Sequence, residues 1–147
     1  MRPEFPLTLY WNLGVVLRDL KHVDSEFLRT FDVGPAQFKV LYYINSCRNG
    51  ANLKEIAQLM DVSPSNASRL VEKLVQKEWA DRVVSPESKR EIIVKITREG
   101  KRMLRKLAPE QRRVMQNYLH SRTSGDQLEK LNGLLQLIMK DEVVTEA

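Results

Sequence analysis

The sequence predicts a mainly α-helical chain with one small β-hairpin, folded as a single unit over residues 1–147. Three observations lead there. Apolar residues recur at three- and four-residue steps at both ends of the chain, the pattern of helices with one buried face. Two short β-branched runs, residues 80–85 and 92–96, flank a polar loop that contains a proline. Ser63-Pro64, a capping residue followed by one suited to a first helical turn, opens a helix shortly before them.

In order along the chain, Leu9, Leu13, Val16, Leu17, Leu20, Val23, Phe27 and Phe31 make residues 7–31 one long amphipathic helix. Asp32-Val33-Gly34-Pro35 ends it. Pro35 opens the next helix, whose apolar face is Phe38, Leu41, Tyr42 and Ile44 and which closes near Asn49-Gly50. Residues 53–60 form a short helix, and after Asp61-Val62 the helix capped by Ser63 runs to about Lys77. The hairpin follows, with Glu87, Ser88, Lys89, Arg90 and Glu91 in its charged loop. Thr97 caps another long helix carrying Met103, Leu104, Leu107, Val114, Met115, Tyr118 and Leu119, in which Pro109 is expected to kink or break the run. Ser124-Gly125-Asp126 marks a turn, and Leu128, Leu131, Leu134, Leu135, Ile138 and Met139 define a final helix. The order is α-α-(β)-α-α-β-β-α-α, without internal repeat or flexible interdomain linker.

Composition narrows the function classes. A chain that is 42% hydrophobic and 29% charged can build a core under a well-solvated surface, and its apolar runs are too short to span a bilayer. No secretory signal pattern is present and Cys47 is the single cysteine, so a cytoplasmic location and no intramolecular disulfide are expected. There is no glycine-rich phosphate loop, nucleophile elbow or metal-binding pair, and His22 and His120 lack partners at ligand spacing. The expectation is a non-enzyme without metal or cofactor. A net charge of +5 favours an anionic partner, but charge alone discriminates weakly.

Residues 53–77 carry the sharper signal. In a helix-turn-helix the first helix braces the second across a tight turn, which demands small or apolar residues where they touch. Ala57, Val62, Ala67 and Leu70 supply them, and Asp61 holds the turn position where glycine is common. With Ala67, Leu70, Val71 and Leu74 turned inward, the second helix presents Ser63, Pro64 and Ser65 at its start and Ser68, Arg69, Glu72, Lys73 and Gln76 on or near its outer face, with Asn66 flanking it. Arg69 can grip guanine O6 and N7, Asn66 or Gln76 can read adenine, and the small serines let the backbone approach a phosphate. Any one of these residues reads equally well as a solvated helix face; the cap, turn and following hairpin together favour recognition of double-stranded DNA. Lys89 and Arg90 at the hairpin tip suit a narrow minor groove, and Arg82, Lys95 and Arg98 are either phosphate contacts or solubilising charges.

This arrangement resembles the MarR (multiple-antibiotic-resistance regulator) family of winged helix-turn-helix proteins over nearly the whole chain. The segments that carry the resemblance are Leu53-Lys-Glu-Ile-Ala-Gln-Leu-Met60, Ser63-Pro-Ser-Asn-Ala-Ser-Arg-Leu-Val-Glu-Lys-Leu74 and the wing from Trp79 to Gly100, ending Lys95-Ile-Thr-Arg-Glu-Gly100. The resemblance implies a reading lobe at residues 34–100 between dimerisation helices at 7–31 and 101–143. It also implies a sequence-specific DNA-binding transcription regulator, commonly a repressor, that binds a pseudo-palindromic operator as a homodimer. The broad apolar faces of the outer helices, too large for a small winged helix to bury, support the dimer independently.

Two positions depart from the family pattern. The wing aspartate that helps orient the minor-groove arginine is Ser88 here, leaving Glu87 as the neighbouring carboxylate. A glycine after the recognition helix is replaced by Glu78. Many members respond to small aromatic effectors bound between the dimerisation helices and the reading lobe, where Trp11, Arg18, His22, Tyr42 and Tyr43 are the residues available; the plainer reading makes these aromatics core or interface. Cys47, beside Arg48, reads as an inert buried thiol rather than a redox sensor. The alternative function is a winged helix used for protein–protein contact, or an anti-regulator without specific DNA binding.

Overall fold

The computed structural model describes residues 2–140. Its elements are α1 (Phe5–Arg29), α2 (Pro35–Ser46), β1 (Ala51–Asn52), α3 (Leu53–Met60), α4 (Pro64–Gln76), β2 (Ala80–Val84), β3 (Ile92–Ile96), α5 (Arg98–His120) and α6 (Gly125–Ile138). The optional strand of the sequence reading exists as β1. It turns the expected hairpin into a three-stranded antiparallel sheet of order β1-β3-β2, in which Ala51 pairs with Val94 and Ala80 with Ile96.

Three of the helices end in the same way. At the close of α1, the Asp32 N–H donates to the Arg29 carbonyl and the Val33 N–H to the Leu28 carbonyl. At the close of α3, Asp61 donates to Gln58 and Val62 to Ala57; at the close of α4, Glu78 donates to Val75 and Trp79 to Leu74. In each pair of bonds the middle residue lies in the left-handed region, with φ of 52° at Asp32, 51° at Asp61 and 61° at Glu78. This is the Schellman closure, which satisfies helix-end carbonyls and returns an apolar residue to the helix it ends. Glycine would adopt these angles without the steric cost that a side chain brings. Asp61 takes the left-handed turn expected of it, and Glu78 does so without the glycine.

The core is contained in the middle of the chain. Phe38, Val40 and Leu41 of α2, Ile56 of α3, Ala67, Val71 and Leu74 of α4, Val94 of β3 and Leu107 of α5 are buried against one another. Leu28 is the sole fully buried residue of α1, and α6 has none. The outer helices therefore join the central lobe through the end of α1 and the first part of α5, and α1 and α5 pack together, bridged past the middle of α5 by Gln111 donating to Asp24 at 2.7 Å.

Boundary differences have local causes. The first helix starts before Leu7, at Phe5, because Pro6 suits a first turn, and it ends at Arg29 because Phe31 belongs to the Schellman turn. α5 runs through Pro109 without a break, contrary to one expectation for that residue. Proline removes one N–H, and Leu107 and Ala108, buried in the core directly before it, hold the helix in place through that point. The last helix ends at Ile138, and residues 141–143 of the expected 101–143 span lie outside the described residues.

Gly100 is required by contact rather than by its own torsion. A Cβ there would collide with the Trp79 carbonyl oxygen, because the first turn of α5, capped by Thr97 accepting from the Gly100 N–H at 2.9 Å, sits directly on the chain that leaves α4. Gly100→Ala is expected to lower unfolding free energy by about 1–3 kcal/mol, the range for forced overpacking, as measured by urea denaturation.

Candidate nucleic-acid interface

The interface is built on α4. Ser63 caps the helix, its Oγ accepting from the Asn66 N–H at 3.2 Å and lying 3.1 Å from the Ser65 Oγ. Val62 returns to the Ala57 carbonyl at 3.0 Å, and Ala67 and Val71 are fully buried, so the orientation of the helix is set by both its start and its inner face. That leaves Ser63, Pro64, Ser65, Asn66, Arg69 and Gln76 exposed on one outer surface, as their types and spacing predicted. Among the described residues, no hydrogen bond or ion pair engages the Arg69 guanidinium; Gln76 makes only a long 3.5 Å contact to Glu72. A planar five-donor group held on a rigid helix without an internal partner is suited to bidentate recognition of acceptor pairs.

The other candidates divide. Arg82 of β2 turns back onto α4, donating to Glu72 Oε2 at 2.7 Å, to the Ser68 carbonyl at 2.9 Å and to the Ser68 Oγ at 3.2 Å. It braces the wing against the helix, and it occupies Ser68 in doing so. Lys73 points toward the end of α1: its amine donates to Asp32 Oδ1 at 3.1 Å, while the Lys77 amine lies 3.5 Å from Asp32 Oδ2 and donates to the Phe31 carbonyl at 3.0 Å. The Lys73 hydrogen bond and the charges of Lys73 and Lys77 hold the Asp32 carboxyl below the usual carboxylate range. Lys89 and Arg90 stand exposed at the wing tip, and among the described residues neither Glu87 nor Glu91 pairs with Arg90.

Sequence reasoning passed over the residues that shape the wing. Ser85, the one buried polar side chain among the described residues, accepts at its Oγ from the N–H groups of Glu87 and Ser88, both at 3.3 Å. Glu91 closes the loop through its backbone: its carbonyl accepts from Ser85 at 2.8 Å and its N–H donates to the Ser88 carbonyl at 3.1 Å. Its carboxylate accepts from Asn52 Nδ2 at 2.7 Å. Asn52 is also the cap of α3, in a reciprocal box with Glu55 at 2.8 and 2.7 Å. The Asn-x-x-Glu spacing was a readable signal for that cap.

The five effector candidates do not converge. Trp11 and Arg18 share an open apolar groove on α1, where Arg18 pairs with Asp19 at 3.0 Å. His22 is exposed beside Glu26 at 3.6 Å. Tyr42 stacks edge-on with Phe38 and lines a separate cleft of about 490 Å³ formed by Lys21, Asp24, Pro35, Ala36, Lys39, Met60 and Gln111, between α1, α5 and the reading lobe. Tyr43 lies against Cys47 at the end of α2; burial, with Cys47 and Glu55 nearby, pushes its hydroxyl pKa up. Cys47 is half-buried rather than buried. Among the described residues there is no cluster of three or more metal-ligating side chains, and no helix is long and apolar enough to cross a membrane.

The MarR family model matches residues 34–92, which take in α2 through the start of β3. That segment is similar to MarR family domains. It is 34% identical over 76 residues to the multiple antibiotic resistance protein MarR of Escherichia coli, a match spanning 52% of each protein, so the chain spans about half the length of that relative. The crystal structure of apo wild-type Escherichia coli MarR superposes with a TM-score of 0.79 at 25% identity, covering 89% of this chain and 96% of that one. A cysteine-to-serine mutant of the same protein, complexed with operator DNA, gives a TM-score of 0.81 at 24% identity over 95% and 99% of the two chains. The mainly helical architecture with a small antiparallel sheet is that of MarR winged helices.

Asp24 supplies a test of the junction between the outer helices and the domain. Burial raises its carboxyl pKa, and the Gln111 hydrogen bond offsets that only in part. A raised folded-state pKa means the folded protein holds the proton more tightly, so stability declines as pH rises from the unfolded value, ~3.9, through the folded value. Asp24→Asn, which keeps an acceptor for Gln111, is expected to stabilise the protein near pH 7 and to have little effect below pH ~3. Thermal melts of both proteins across pH check this.

Proposed function

We propose that the chain is a homodimeric, sequence-specific DNA-binding transcription regulator acting in the cytoplasm, with repression as its mode. The observation that carries this reading is the outer face of α4, where unengaged Arg69 stands with Asn66 and the serine-rich helix start, on the same rigid lobe as exposed Lys89 and Arg90 of the wing. An α-helix of that width enters a major groove, and a basic hairpin tip beside it reaches an adjacent minor groove. Arg82 and Lys73, engaged within the protein, serve this surface by holding α4 in place.

The homodimer is supported by what the outer helices expose. Leu7, Trp11 and Leu17 of α1 are 56%, 60% and 52% accessible, and Leu134, Leu137 and Ile138 of α6 are 53%, 83% and 65% accessible. Burying each large apolar side chain is worth about 1.5–3 kcal/mol, so two helices bearing many of them call for an isologous partner surface. Sedimentation at micromolar concentration is expected to give a dimer; a monomer would leave these faces unexplained and remove the basis for a palindromic site.

Effector release belongs to the same reading, with the cleft around Tyr42, Lys39 and Asp24 as the place for a small aromatic ligand. A molecule there touches both the outer helices and the lobe, so unequal affinity for two spacings of the reading heads would change DNA affinity.

Selection of bound sequences from random DNA should return a pseudo-palindrome bound ~10³-fold or more tighter than random sequence. Arg69→Ala should cost ~1–3 kcal/mol and relax preference at one position per half-site, while Arg90→Ala should weaken binding through the A·T-rich flank. Uniform affinity for all sequences, or none, would favour the alternative of a protein–protein module or anti-regulator.

A further inference from the structure

We propose that Asn52 is a positioning residue for the wing, tying its base to the first helix of the helix-turn-helix so that Arg90 is presented without an ion-pair partner of its own. This rests on the DNA-binding reading above.

Asn52 uses both ends of its amide. Oδ1 accepts from the Glu55 N–H at 2.8 Å and caps α3, while Nδ2 donates at 2.7 Å to Glu91, thirty-nine positions away in sequence. Because β1 is only two residues long and pairs with β3 at Ala51–Val94 and Asn52–Ile93, its backbone ladder ends where the wing loop begins. The side-chain bond to Glu91 carries the connection one step further. Glu91 is the residue at which the loop closes, with its carbonyl bound by Ser85, its N–H bound to Ser88 and its carboxylate bound by Asn52. Ser85, 7% exposed, gathers the amides of Glu87 and Ser88 from inside. The loop is thus held from its base by neutral and charge-assisted hydrogen bonds, and none of them consumes Lys89 or Arg90.

An arginine clasped by a carboxylate must part from it, or carry its negative charge toward DNA. Here the one acidic side chain that organises the loop makes no demand on the arginine, being bound instead to the side-chain amide of Asn52 on the neighbouring strand β1. A hydrogen bond to a charged group is worth more than a neutral one, and its loss leaves the outer end of the wing, past the last β1 pair, held by the β2–β3 ladder and the Ser85 bonds.

Asn52→Ser separates the two roles, because serine caps a helix as well as asparagine but is too short to reach Glu91. In the DNA-free protein, amide hydrogen exchange at Ser85 and Glu91 is expected to quicken while exchange at Glu55 stays slow. Glu91→Gln, which retains an acceptor, keeps Ser85 slow. On a site selected from random DNA by the wild-type protein, Asn52→Ser is expected to lower affinity by about tenfold, the equivalent of one charge-assisted hydrogen bond, with no further loss in an Arg90→Ala background. Unchanged exchange at Ser85 and Glu91 in Asn52→Ser overturns the tie. Faster exchange with unchanged affinity, or an equal loss with and without Arg90, overturns its role in presenting the arginine. Wild-type protein that selects no sequence would instead sink the DNA-binding reading, with the exchange result still deciding the tie.

Discussion

The carbonyl and amide of Trp79 join the parts of the molecule that matter. The N–H donates to the Leu74 carbonyl and closes α4; the carbonyl accepts from Thr97 at 3.0 Å and lies where any side chain at position 100 would be. The Thr97 Oγ1 accepts from the start of α5 and donates to the Glu78 carbonyl at 2.6 Å. One residue thus binds the end of α4 to both ends of the wing and to the first turn of the helix leading away. The wing cannot rotate relative to α4 without breaking this joint, and Arg82, reaching from β2 to Glu72 and Ser68, spans the same gap from the outside.

Much of this was legible in the chain, for reasons particular to each part. Ser63-Pro64 and Thr97 marked helix starts because capping is local chemistry, and Ala57, Val62 and Ala67 placed the braced turn because only small or apolar residues fit there. What escaped depended on distance. Nothing local to Arg82 says that it folds back on Ser68, nothing near Lys73 points to Asp32, and Asn52 and Glu91 meet only once the sheet has formed. β1 was legible only as an optional strand, because two residues carry no periodicity. Pro109 was misread as a possible break because a proline's local cost says nothing of the packing of Leu104, Leu107 and Ala108 around it.

The charges also sort by what they hold. Lys73, Lys77 and Asp32 link the end of α4 to the end of α1, with the Lys77 amine lying 5.2 Å from the Trp79 ring centroid, so the outer helix is coupled to the reading helix at the closure that precedes the wing. These are exposed pairs and weak individually. Their importance is directional: a shift of α1 has a path to the orientation of α4. Across the lobe, the cleft beside Tyr42 touches α1, α2, α3 and α5. Occupancy there and the lysine–aspartate contacts would act on the same relative position of lobe and outer helices.

We propose that two such lobes, related by a dimer axis, read DNA together. Hydroxyl-radical footprinting of the purified protein on its selected site tests it most directly. Two symmetric sets of protection are expected, centred about one helical turn, ~10 base pairs, apart, each with an outer minor-groove footprint from a wing. A single protected patch without twofold symmetry would contradict it.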